Sequence, residues 1–168
     1  QKADVLLIAG DLTKSGRPQE ARALARELGQ VSVPVVAVLG NHDHHADRPE
    51  EIASLLRDVG VAVLEGQSIE VDTAGGSVGV AGVKGFGGGF PGASGAEFGE
   101  PEMKAFIRHT KERSEALGSA LASLRTDVRV ALMHYAPIRE TLQGEPPEIF
   151  PFLGSYLLAE AIDTGGAH

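Results

Sequence analysis

Three apolar runs in this chain each end in a polar, chemistry-bearing residue, and that recurrence limits the fold more than any other feature. Val5 to Ala9 leads through Gly10 to Asp11, VPVVAVLG leads to Asn41, and Val128 to Met133 leads to His134. Short, continuous runs of this kind, bounded by glycine or polar residues, read as strands buried on both faces. Between the first two, RPQEARALARELG places Ala21, Leu24, Ala25 and Leu28 at i, i+3, i+4 and i+7, a one-sided helix stopped by Gly29. After the second, Ile52, Leu55, Leu56 and Val59 repeat the spacing up to Gly60, with Asp47 and Glu50 as a capping-box-like pair at the start. Strand, helix, strand, helix argues for a parallel α/β sheet. In such sheets ligands sit beyond the carboxyl ends of the strands, where Asp11 and Asn41-His42-Asp43 fall.

The middle of the chain reads differently. VAVLEG, SIEVDT and SVGVAGV are short runs split by Gly and Asp, the pattern of a β meander or a second sheet edge. Residues 82–95, GVKGFGGGFPGASG, are half glycine. They lack the G-x-x-x-x-G-K-[ST] spacing of a phosphate loop, and Lys84 precedes the glycine cluster. An ordinary mobile surface loop is the expectation, with a flap over the site as the alternative. Pro101 to Leu124 reads as a long helix whose charged middle, including His109, faces solvent. Val128 to Met133 follows, and FLGSYLLAEAID is a last helical stretch.

Composition narrows the classes. With 168 residues and 42% hydrophobic content, residues 1–168 are expected to form a single domain with a real core. No cysteine is present, so disulfides and thiolate metal sites are excluded, and a cytoplasmic setting fits. No apolar run approaches the roughly 18 residues of a membrane span, and no secretory signal opens the chain, although Gln1 is not an initiator Met. A net charge of −8 disfavours a nucleic-acid surface and is compatible with a small-molecule or phosphodiester substrate.

A carboxylate, an amide oxygen and an imidazole form a mixed O/N donor set suited to Mn, Fe, Zn or similar ions. Taken singly, Asp11 reads equally as a turn or cap residue, Asn41 as half of a Gly-Asn turn, and His134 as a hydrogen-bonded core histidine. Here GDLTKSG, GNHD and MHYAP resemble the internal blocks of the calcineurin-like metallophosphoesterases, in the right order and each after an apolar run. GDLT with GNHD looks more like the class III cyclic-nucleotide phosphodiesterase branch than the protein phosphatases. The resemblance implies a β-sandwich flanked by helices in α/β/β/α layers, holding two divalent ions. It implies that Asp11 bridges both ions and that Asn41 and His134 bind the second. His42 would not be a ligand but the general acid or charge stabiliser, with Asp43 orienting its ring. The implied activity is metal-dependent hydrolysis of phosphate esters, foremost phosphodiesters, by an activated water. The alternative is a non-catalytic scaffold on the same fold, as in the retromer subunit with a phosphoesterase fold. His44 and His45 match no position of the family and read as loop residues, and Arg17 as a solvated helix-start residue.

Two of the family's five blocks are absent. Only ten residues precede Asp11 and none forms D-x-H, while GGAH carries Gly166 where G-H-x-H has its first histidine. His168 is not read as the motif residue, because GGAH follows a helix and not a strand. The chain is therefore expected to be an interior piece, incomplete at both ends, that by itself binds one ion weakly or none.

Overall fold

The computed structural model of the chain describes residues 3–167, and its first half folds as the alternation of runs requires. Strand β1 (Leu6–Ala9) is followed by helix α1 (Pro18–Leu28), strand β2 (Val35–Val38), helix α2 (Pro49–Arg57) and strand β3 (Ala62–Leu64). The three strands pair in parallel in the order β1-β2-β3, with Leu6 opposite Val35 and Val36 opposite Ala62. Next come β4 (Gln67–Thr73) and β5 (Gly76–Val83), an antiparallel hairpin, and the two-residue strands β6 (Gly89–Phe90) and β7 (Ala93–Ser94). Helix α3 (Pro101–Ser123) then leads to β8 (Val128–Met133), which lies parallel to β5 and closes a second sheet, β4-β5-β8. Helices α4 (Phe150–Leu153) and α5 (Tyr156–Gly165) end the described chain.

Period-two alternation in the buried strands builds the layers. In β2, Val35 and Ala37 face Ala21 and Ala25 of α1 and Ile52, Ala53 and Leu56 of α2. Val36 and Val38 face the other way, meeting Leu64, Val80 and Leu132 between the two sheets. On the far side of the second sheet, Ala81 and Val83 pack on Leu117, Ala120 and Leu121 of α3 and Leu158 of α5. The result is an α/β/β/α sandwich. No helix is long and apolar enough to cross a membrane.

Several expectations need correction. VAVLEG does not join a meander: its β3 completes the first, parallel sheet, and only β4 and β5 form a hairpin. The Asp47–Glu50 cap does not form. Asp47 sits at φ 54° and closes the preceding turn through its N–H to the His44 carbonyl, so Pro49 takes the first helical position and Arg48 becomes the cap. The last helical stretch is two helices, broken at Gly154, with the Ser155 side chain accepting from the Leu157 N–H to start α5. His168 of GGAH lies outside the described residues.

The glycine-rich segment is the largest departure. Residues 82–90 are buried, apart from the half-buried Phe86, and only 91–95 emerge as a surface loop. Its backbone is stitched to the rest of the fold: Gly88 N–H donates to the Pro151 carbonyl at 2.7 Å and Gly89 N–H to the Gly154 carbonyl at 2.9 Å. The Thr110 hydroxyl of α3 donates to the Gly87 carbonyl. Over residues 82–90 the segment is a wall of the interior and not a flap, and only 91–95 keep the expected surface position.

Ile52 is fully buried between α2 and the first sheet, whereas Val59, beyond the end of α2, is 38% exposed. Ile52→Ala should lower unfolding stability by about 2–5 kcal/mol and Val59→Ala by under about 1 kcal/mol, read from urea midpoints at unchanged slope.

Candidate metal centre

Strand ends from both sheets converge on one point. Beyond β1, Gly10 (φ 88°) and Asp11 (φ 49°) both take left-handed conformations that swing the Asp11 carboxylate back across the strand ends. A β-carbon on Gly10 would lie 2.5 Å from His134 Nδ1, and one on Gly40 would lie 2.2 Å from the Asp11 carboxylate. Each glycine is therefore demanded by the close approach of a site residue from another strand. Strained, positive-φ backbone at a non-glycine residue is a mark of a functional constraint, and Asp11 carries it.

His134 follows β8 and crosses to the first sheet. Its Nδ1 lies 2.9 Å from the Ala9 carbonyl, which can only accept, so Nδ1 carries the proton. In the neutral ring Nε2 is then a bare lone pair, yet it faces Asn41 Oδ1 at 2.8 Å and Asp11 Oδ1 at 3.4 Å. Three acceptors meeting in this way are what a shared cation would satisfy. The donor set fits a divalent ion: neighbouring ligands of an octahedral ion bonded at about 2.1 Å stand about 3 Å apart. The ring is anchored through its other nitrogen, as metal-binding histidines usually are. Among the described residues no cluster of three His, Cys, Asp or Glu side chains could hold an ion, and here the third donor is the Asn41 amide.

His42 stands beside these groups. Its Nδ1 donates to the Lys14 carbonyl at 2.9 Å, leaving Nε2 pointing to the site, 4.0 Å from Asp11 Oδ2. The side chains of Asp11, His42 and His134 are 38%, 42% and 21% exposed, open enough to meet a ligand.

Asp43 does not have the position expected for it. Fully buried, its carboxylate accepts from Leu12 N–H, Thr13 N–H, the Thr13 hydroxyl and Gly40 N–H, at 2.7 to 3.1 Å. It ties the loop after β1 to the loop after β2, and the Lys14 carbonyl, not Asp43, orients the His42 ring. His44 and His45 complete or flank the short 3-10 turn His42–His44. The His45 ring packs on His42 with centroids 4.5 Å apart. Arg17 is exposed at the start of α1, as expected of a solvated residue.

Sequence reasoning missed the wall beside the centre. A cavity of about 480 Å³ opens from Asn41 and is lined by His44, Lys84, Phe86, His109 and Tyr135 among others. His109 is not a solvated residue: its ring meets Phe86 edge-on at 4.7 Å. Burial, and then the nearby Arg113 and Lys84 charges, hold its pKa below the usual histidine value. Partial desolvation at the cavity wall and then Lys84 do the same to His44, much of whose surface is nonetheless exposed, and burial lowers Lys84 itself against the opposing pull of Glu65. Burial, with the Asp11 charge adding to it, pushes Tyr135 up. No periodicity marks these residues, since four separate segments supply them.

A family model described as calcineurin-like phosphoesterase matches residues 1–155. Among solved structures the chain is similar to phosphopantetheinyl hydrolase from Mycobacterium tuberculosis, at 18% identity and a TM-score of 0.72, over 97% of this chain and 69% of that one. It is also similar to a protein of Thermus thermophilus, at 22% identity and a TM-score of 0.57, over 98% of this chain and 66% of that one. At such identities the two structures show the shared fold. A comparison with curated proteins found no match.

Asp43→Ala would strand four donors, three of them buried, and should cost at least about 3 kcal/mol in chemical denaturation, while His42→Ala should stay within about 1 kcal/mol of the parent. Because folding lowers the pKa of His44 and His109, the unfolded chain takes up more protons as pH falls through about 6.5, and stability is lost in that direction. Replacing both with Gln should shrink the fall in melting temperature between about pH 7 and pH 5.

Proposed function

Because this chain belongs to the calcineurin-like phosphoesterase family, a family of metal-dependent phosphoester hydrolases, we propose that Asp11, Asn41, His42 and His134 form its reacting centre and that it cleaves phosphodiesters. The observation that carries the reading is the meeting of His134 Nε2 with Asn41 Oδ1 and Asp11 Oδ1 at 2.8 and 3.4 Å, with Nδ1 already committed to the Ala9 carbonyl. Asp11 would bridge two divalent ions, and Asn41 and His134 would hold one of them. When bound, such ions draw charge from the phosphoryl oxygens and make a water acidic enough to attack at neutral pH.

The remaining work falls to this chain's own groups. Hydrolysis forms one P–O bond from water and breaks another, and the departing oxygen needs a proton. His42 would give it from Nε2, a reading supported by the Lys14 carbonyl, which occupies Nδ1–H and keeps the ring turned to the site. Asp43 acts at one remove, by holding Gly40 and Thr13 and with them the loops that carry Asn41 and Asp11. Asn41 lies where a neutral amide oxygen can serve as a ligand without adding charge beside Asp11. A scaffold on this fold has no need of a proton donor, and the retained His42 argues against that alternative.

In the full-length protein, Mn²⁺ should stimulate cleavage of bis-p-nitrophenyl phosphate. His42→Ala should lower kcat by about 10²- to 10⁴-fold with bound metal retained, whereas Asn41→Ala and His134→Ala should lose metal and turnover together. Full turnover in His42→Ala would sink the acid role. Absence of any metal-stimulated cleavage would favour the scaffold.

A further inference from the structure

The cavity beside Asn41 contains a charge that hydrolysis at Asp11, Asn41 and His134 leaves unused. Lys84 is 7% exposed, in the segment between β5 and β6. Its backbone serves the centre directly: its carbonyl accepts from the N–H groups of His134 and Tyr135 at 3.2 and 3.1 Å. Its own N–H donates to Glu65 Oε2 at 3.0 Å. Its ammonium lies over the rings of Phe86 and Tyr135, 5.0 and 5.1 Å from their centroids. Among the described residues no carboxylate oxygen comes within 4.0 Å of that ammonium. Glu65 faces the same wall, but its Oε1 is paired with Arg113 Nη1 at 3.3 Å and its Oε2 with the Lys84 N–H.

Two ring faces soften the desolvation of an ammonium without supplying a counter-charge. The carboxylate whose pull Lys84 feels, Glu65, is shared with Arg113, and a buried cation so weakly compensated is normally neutralised or replaced unless an anion arrives from outside. Lys84 lines a cavity of about 480 Å³ that also contains Asn41, so the anion and a group held at the centre belong to one ligand. The wall includes Arg57, Arg113 and the imidazoles of His44 and His109 together with the carboxylates of Glu50 and Glu65, which with Lys84 leaves one cation in excess beside N–H-bearing side chains from several elements. Side chains of that kind suit a tetrahedral anion with three terminal oxygens better than a flat carboxylate. Both imidazoles are biased to the neutral form, so they can donate without crowding the site with charge. On a chain of net charge −8, a local cationic pocket is also what admits a polyanion to this face.

We propose that this cavity binds a second phosphoryl group of the substrate, with Lys84 as its counter-ion, while the scissile phosphoryl group sits at Asp11, Asn41 and His134. The substrate class is a small molecule with two separated phosphoryl groups, the connecting portion resting on Phe86 and Tyr135. The inference rests on the hydrolase reading above. With metal removed, however, anion binding is scored independently of turnover, so the two can fail separately.

The test is titration of the chelator-treated full-length protein with inorganic phosphate, followed by calorimetry and by NMR of ¹³C-labelled lysine. The Lys84 ε-methylene signal should stand upfield because of its two rings, and should move saturably with phosphate. Acetate at equal concentration should leave it in place. Lys84→Met, which keeps an unbranched chain between the rings, and Lys84→Gln should each weaken phosphate binding at least ten-fold. A Lys84 signal unmoved by phosphate in the wild type overturns the proposal, and so does wild-type affinity in either folded variant. An equal response to acetate overturns the phosphoryl assignment.

Discussion

One buried carboxylate holds the centre together. Parallel strands leave unpaired backbone donors where β1 and β2 end, and the loops that follow must be satisfied from elsewhere. Asp43 answers four of those donors at once, two backbone N–H groups and a hydroxyl from the first loop and a backbone N–H from the second. A carboxylate with that many short donor partners, fully buried, is stable there only because its oxygens are fully engaged. Through it the positions of Asp11, Asn41 and His42 become one rigid geometry and not three independent loop ends. The Asp11 carboxylate repeats the motif on the surface, accepting from the His42 N–H at 3.1 Å.

The second sheet enters through His134. Its ring reaches across the sandwich to the Ala9 carbonyl, and its own backbone is pinned by the Lys84 carbonyl. Packing of Val36, Val38, Leu64, Val80 and Leu132 between the sheets sets the distance over which that reach works. The placement of these side chains thus depends on core packing, which resists small displacements because interiors are close-packed. Lys84 joins the two environments: its carbonyl positions His134 while its side chain charges the adjoining cavity.

Much of this was legible beforehand. The runs ending at Asp11, Asn41 and His134 are strands in the places expected, and helices α1, α2 and α3 begin and end within a few residues of the periodic patterns. Local signals suffice there because burial on one face of a helix or both faces of a strand leaves a direct imprint on residue type. The failures share a cause. His109 carries charged neighbours and reads as solvated, yet tertiary packing turns it to Phe86. The glycine-rich segment reads as mobile, because glycine is equally compatible with freedom and with tight backbone packing. Only the neighbouring Thr110, Pro151 and Gly154 decide between them. Asp43, adjacent to His42 in sequence, invited a pairing with its ring, but a 3-10 turn sends the two side chains in different directions.

What the residue order by itself determined is the family resemblance, with the layers it implies, and the identity of the strand-end donors, because the motifs that carry both are properties of short stretches. What only the tertiary structure decided is which of those donors face one another and what surrounds them. Asp11 and His134 lie far apart in the chain but meet at 3.4 Å, and Lys84, Glu65, Arg113 and Tyr135 gather from separate elements into one wall. Contacts of that kind follow from how two sheets stack, a global outcome of burying the apolar faces, and no local stretch encodes it.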